Sequence, residues 1–239
     1  MAITQETRLK KAHIALMKHP DTALYSGVIL MGSSAIVDDV PTAYTDGVNK
    51  KYGRAFIEKL EDKHLKGLIL HENLHVALKH LPRFIKEFKE DPQTINMAAD
   101  YVVNDIITDI HNKDPNFIEL PAGGLYNSKY HNWSVREVYD DLRKNGNGGG
   151  KNSSSGGGES QGGGNKGFDE HDFSMSEELS SDDYKKLSDQ VDQALRQGGI
   201  LAGKLGAKVP RVISDLLEPK IDWRTALKEF VTSAVKGND

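Results

Sequence analysis

Residues 67–80 read GLILHENLHVALKH, and at their centre His71-Glu72-Asn73-Leu74-His75 has the pattern H-E-x-x-H. On a helix, residues four apart lie about 40° apart around the axis and one turn apart along it. Two imidazoles so placed can meet one ion from the same side, with Glu72 beside them to take a proton from water on that ion. The surrounding register predicts a buried motif. Leu65, Ile69, Glu72 and Val76 share one apolar stripe, and Leu68, His71, His75 and Leu78 lie next to it. Lys66, Asn73 and His80 fall on the opposite side. A carboxylate and two imidazoles facing inward are costly without partners, and a divalent cation is a partner common to all three.

A catalytic zinc site needs a third protein ligand and one position left to water. Asp100, in the stretch INMAADYVVNDII, is the favoured candidate. Ile95, Ala98, Ala99, Val102 and Ile106 form the buried face of that helix, and Asn96, Asp100, Asn104 and His111 form a polar stripe along its edge. Asn104, one turn on, is placed to orient the cluster. His80 is a second candidate, but on a continuous helix it lies about 140° from His75 and about 180° from His71. His171, in FDEHDF, is the third; its acidic neighbours raise its basicity, which equally suits a protonated donor. His171, Tyr126 and Tyr130 are candidates to meet the charge that develops on a substrate carbonyl oxygen.

Working outward, residues 5–18 carry apolar positions at helical spacing. Ala23 to Phe56 is rich in β-branched and aromatic residues, with a turn signal at Asp46-Gly47, and predicts two to four short strands. A helix is expected from Asp62, as N-cap, to Leu81, where Pro82 limits it, and another from Thr94 to His111. Ser134 with Glu137 three residues on is a capping-box start for a further helix. The stretch 146–167 holds 11 of the 23 glycines and reads as a flexible linker. Residues 168–192 carry nine acids and two lysines, and the linker is long enough to bring them across the site as a lid. Helices are expected at Pro210–Leu217 and Trp223–Val235. The expected organisation is a core over 1–145, the linker, and a helical part over 168–239 packing on that core. The fold class is α+β, mostly helical, with a small N-terminal sheet beside the H-E-x-x-H helix.

Composition narrows the chemistry. The 239 residues include no cysteine, so any metal must be held by His, Asp or Glu. A net charge of -4 speaks against nucleic acid as partner, and the basic residues of the tail are interleaved with acids. No apolar run approaches a membrane span, and the first residues have no apolar core like that of a signal peptide. A cytoplasmic protein without membrane or nucleic-acid partners is expected.

Several blocks together resemble a known family. PTAYTDGVNKKYGRAFIEKL leads into LKGLILHENLHVALKHLPR; NMAADYVVN follows, then the glycine-rich gap, DEHDF and EPKIDWRTALKEFV. In that order, over roughly residues 10–235, they are similar to the metallopeptidase domain that usually precedes a von Willebrand A-like domain in bacterial and phage proteins. The resemblance implies a zincin-like fold, a zinc ion, and a second helix supplying the third ligand. His71, His75 and Asp100 are then the ligands and Glu72 the general base of peptide hydrolysis. It also implies that the Pro41–Gly47 segment lines the cleft for an extended peptide or protein substrate. An AAA+ ATPase is an expected partner, since family members often occur beside one. A von Willebrand A-like domain is expected to begin near Asp239. The alternative is a metal-binding adaptor, not a peptidase, that works with such partners.

Overall fold

The computed structural model describes residues 3–145, 180–206 and 213–214. The linker 146–167, His171, and the expected tail helices except for 213–214 lie outside those residues.

Helix α1 (Gln5–Lys18) forms as its spacing predicts. Thr4 caps it, accepting a hydrogen bond from Thr7 N, and Leu9, Ala12 and Leu16 are buried. The next segment departs from expectation. Strands begin only at Ser34, while Ala23–Tyr25 is a 3-10 turn and Ser26–Ile29 is a short helix, α2. Thr22 and Ser26 use their hydroxyls locally, on Leu16 O and Ala23 O, which favours a turn over an extended ladder. Packing then overrides the strand preference of Tyr25, Val28 and Ile29, all of which are buried.

Three strands follow: β1 (Ser34–Val37), β2 (Ala43–Thr45) and β3 (Lys50–Gly53). Their order is β1-β3-β2, with β3 parallel to β1 and antiparallel to β2. The β2–β3 turn is built as its sequence signals. Asp46 Oδ1 accepts from Val48 N and Asn49 N, and Gly47 takes a φ of 93°. Thr45 pairs with Lys50 and Ala43 with Tyr52. This register turns Lys50 and Tyr52 to the buried side of β3.

After a one-turn helix α3 (Arg54–Ile57) comes α4 (Asp62–Ala77), which carries the motif. Asp62 is the first helical residue rather than the cap, and Arg8 of α1 pairs with its carboxylate at 2.8 Å. From Gly67 to Ala77 every residue of α4 is buried. The outward side expected at Asn73 and His80 is therefore absent, and both are covered. Helix α4 is surrounded by α1, α2, β2 and three helices introduced below. Gly67 permits a further close approach, by the loop that holds Glu119: a Cβ there would lie 2.0 Å from Glu119 O.

Helix α4 also ends four residues before Leu81. Lys79 adopts a left-handed conformation (φ 56°), and the chain restarts as α5 (His80–Arg83) and α6 (Ile85–Glu90). Helix α7 (Pro92–Lys113) starts with Asp91 accepting from Thr94 N and Pro92 in its first turn, and it crosses α4. Helix α8 (Val135–Lys144) has the expected Ser134–Glu137 capping box and packs on α7.

The sequence reading missed α9 (Ser181–Lys204). It begins with a second capping box, Ser180–Asp183, and buries Leu187, Val191, Ala194, Leu195 and Ala202. It lies on the Ala23–Ile29 segment and on α5. Two glycines let backbones meet there: Gly27 faces Ala194 O and Gly198 faces Leu24 O, with no room for a Cβ at either. From Ser180 onward the acidic segment is thus a docked helix and not a free lid. Among the described residues no helix is long and apolar enough to cross a membrane.

Candidate metal centre

The helical spacing of His71 and His75 brings their Nε2 atoms to 3.1 Å from each other. The crossing of α7 over α4 adds Asp100, whose Oδ1 lies 3.7 Å from His71 Nε2 and 3.4 Å from His75 Nε2. All three side chains are buried, with relative exposures of 0%, 3% and 4% for His71, His75 and Asp100. Three donor atoms thus converge on one point in the interior, a set that could hold a metal ion.

The far nitrogen of each imidazole is also engaged. His71 Nδ1 lies 2.9 Å from Asn104 Oδ1, while Asn104 Nδ2 donates to Leu125 O at 2.8 Å. With its amide nitrogen committed to a carbonyl, Asn104 can offer His71 only an acceptor. His71 therefore keeps its proton on Nδ1, and the lone pair of Nε2 points at Asp100 and His75. His75 Nδ1 lies 2.9 Å from His80 Nδ1. His80 reaches that position because the helix breaks at Lys79, the condition the sequence had made its inclusion depend on. It stands behind His75, on the side away from the Nε2 atoms, and is 1% exposed.

Glu72 is fully buried on the same helix. Lys50, from β3, is close enough to interact with it electrostatically. Burial pulls the Lys50 ammonium down to about 8, against the opposing pull of Asp46 and Glu72. The Lys50 ammonium donates to Val28 O at 3.0 Å and Met31 O at 2.8 Å.

The tyrosines considered as donors are placed differently from each other. Tyr130 donates to Asp141 Oδ2 at 3.0 Å and packs edge-on against Tyr101 and between that ring and Trp133. Burial, then Asp141, pushes its hydroxyl up to about 12. Tyr126 is 45% exposed, directly after the Leu125 carbonyl that holds Asn104. A second His–Asp group lies further along α7. His131 Nδ1 is 3.1 Å from Asp105 Oδ1 and 3.8 Å from Asp109 Oδ1, and Asp105 raises the basicity of the imidazole. There the imidazole faces both carboxylates at a half-exposed site.

Two residues escaped the sequence reading. Alternation along β3 turns Lys50 inward together with Tyr52, a period-two signal that could have found it. Lys79 carried no such signal, since the left-handed position after a helix usually falls to glycine or asparagine.

No curated protein and no solved structure matches the chain. A family model described as "Putative metallopeptidase domain" matches residues 4–238. That description is of a metal-dependent peptidase, which acts on peptides or proteins, and the converging His and Asp donors suit the ion it implies. Over nearly its whole length, the chain belongs to this family of metallopeptidase domains.

Proposed function

We propose that the protein is a zinc peptidase of the H-E-x-x-H type with a zincin-like arrangement, in which His71, His75 and Asp100 hold the ion and Glu72 is the general base. One observation carries this reading. Tetrahedral zinc, with bonds of about 2.0–2.2 Å, puts its ligand atoms about 3.3–3.5 Å apart. The three donor atoms stand 3.1, 3.4 and 3.7 Å apart before any ion is added. Two imidazoles and a carboxylate leave a fourth position for water or substrate. Zinc bound there would acidify water and polarise a peptide carbonyl.

The chain's own groups supply the remainder. Asn104 and His80 hold the two imidazoles by their far nitrogens. Glu72, between the two histidines in sequence, holds the abstracted proton on its carboxylate and returns it to the leaving amine. The Lys50 ammonium lies within electrostatic reach of that carboxylate. Strand β2 is an edge of the sheet and packs on α4, so an extended peptide laid along it would pass close to the centre. A metal-binding adaptor would have no use for an ionisable Glu72 buried beside the ligands, which makes hydrolysis the stronger reading.

The test is metal content. Purified protein should hold about one zinc per chain by elemental analysis, and His71→Ala and His75→Ala should each lose it. Full occupancy in both variants would end the proposal.

A further inference from the structure

The break between α4 and α5 joins the centre to a distant part of the chain. Lys79 is 7% exposed and left-handed, a conformation that costs energy for any residue with a Cβ. Its ammonium lies 2.5 Å from Asp192 Oδ1 and donates to Ser188 Oγ at 2.9 Å. Ser188 and Asp192 are one turn apart on the same side of α9, so the helix grips the lysine at two points. The next residue is His80, whose Nδ1 lies 2.9 Å from His75 Nδ1. On a continuing helix His80 would point about 140° away from His75. The left-handed residue is what brings the two imidazoles together.

We propose that α9 is a working part of the metal centre: by gripping Lys79 in its left-handed turn, it seats His80 against His75 and fixes the imidazole that binds the ion. This rests on the reading that His75 is a ligand. His80 and Lys79 are positioning residues, and neither touches the ion. With Nε2 of His75 turned to the ion, its Nδ1 carries the proton and donates it to His80 Nδ1. Partners of this kind set both the orientation and the basicity of a ligating imidazole. The grip also explains why a lysine can stand where glycine is usual. The ion pair and hydrogen bond to α9 hold a backbone geometry that the residue would otherwise leave.

The experiment measures zinc affinity of the full-length chain by competition with a chromogenic chelator, so it needs no substrate. His80→Ala should weaken binding about 10- to 100-fold. Asp192→Asn, a near-isosteric change on a partly exposed residue, should weaken it about 3- to 30-fold. If Asp192 acts through His80, the double variant should bind no more weakly than His80→Ala alone. Lys79→Ala should weaken binding, whereas Lys79→Gly, free to adopt positive φ, should stay near wild type. Additive losses in the double variant, or equal losses in Lys79→Ala and Lys79→Gly, would overturn the proposed route. If the wild type binds zinc and His71→Ala does not, yet His80→Ala and Asp192→Asn bind normally, the inference fails and the centre stands. If the wild type binds no zinc, the reading of the centre fails and takes the inference with it.

Discussion

Asn104 Oδ1 lies 2.9 Å from His71 Nδ1, and this contact decides which nitrogen of the imidazole is left to bind an ion. Asn104 can play that part because Leu125 O occupies its amide nitrogen at 2.8 Å. The side chain of Asn104 therefore joins the loop after α7 to the imidazole on α4. Asn104→Leu keeps the branched outline of the side chain and removes both hydrogen bonds, leaving the His71 N–H and the Leu125 carbonyl buried without these partners. Zinc affinity should fall about 10- to 100-fold, and stability by about 1–3 kcal/mol. Chelator competition and urea unfolding measure the two effects. Wild-type values in both would show that the contact does not set the tautomer.

Glu72 offers a sharper separation of binding from chemistry. Glu72→Gln preserves shape and removes the proton acceptor. The variant should retain about one zinc per chain. It should lose the ability to cut a proteome-derived peptide library, read by mass spectrometry of new N-termini, by at least about 100-fold. Cleavage at the normal rate would remove Glu72 as the base.

The parts of the fold that could be read from sequence were those specified by local chemistry. Ser134 and Gly47 mark the ends of elements by hydrogen bonds or dihedrals that depend only on near neighbours, as Thr4 and Asp91 do although the sequence reading named neither. The convergence of His71 and His75 follows from one helical turn, and Asp100 from the polar edge of an amphipathic helix. Features set by distant contacts stayed hidden. Ala23–Ile29 has strand-forming residues but is bent by Thr22 and Ser26 and covered by α9. Helix α9 itself begins in a run of acids that looks solvated, while its apolar side has meaning only against Leu24 and Gly27. Lys79, where the chain turns left-handed just after α4, pairs with Asp192, 113 positions further along the chain. A continuous amphipathic pattern could not signal that break, so His80 was placed on the wrong side.

Gly67 tests how closely α4 is enclosed. By helix propensity alone, Gly67→Ala in the body of a helix should stabilise by about 1 kcal/mol. The enclosed backbone reverses the sign, because the new Cβ would sit 2.0 Å from Glu119 O. That atom is backbone and cannot rotate away, so the 119–120 segment must shift. Gly67→Ala should destabilise by about 1–3 kcal/mol in urea unfolding. A more stable variant would mean that the loop following α7 does not lie against α4 as described.

Lys50 makes the chain's stability depend on pH in an unusual direction. Its ammonium is buried, and burial lowers its folded pKa to about 8 from an ordinary 10.5. Between those values the unfolded chain binds more protons than the folded one, so stability rises with pH. The favourable contribution is complete above 10.5 and is lost as pH falls through 8. Over the whole window it amounts to about 3 kcal/mol. Lys50→Met removes the titration while filling similar space, although Val28 O and Met31 O lose their donor. That loss lowers the variant's stability uniformly and leaves its slope unaffected. Buried tyrosines such as Tyr25 and Tyr130 titrate upward of this range and act equally on both proteins. The stability difference, wild type minus Lys50→Met, should therefore grow in favour of wild type between pH 8 and pH 10 in urea unfolding. A difference that stays constant across that interval would show that Lys50 keeps its ordinary pKa, and that its charge is better solvated than its place between β3 and the end of α2 implies.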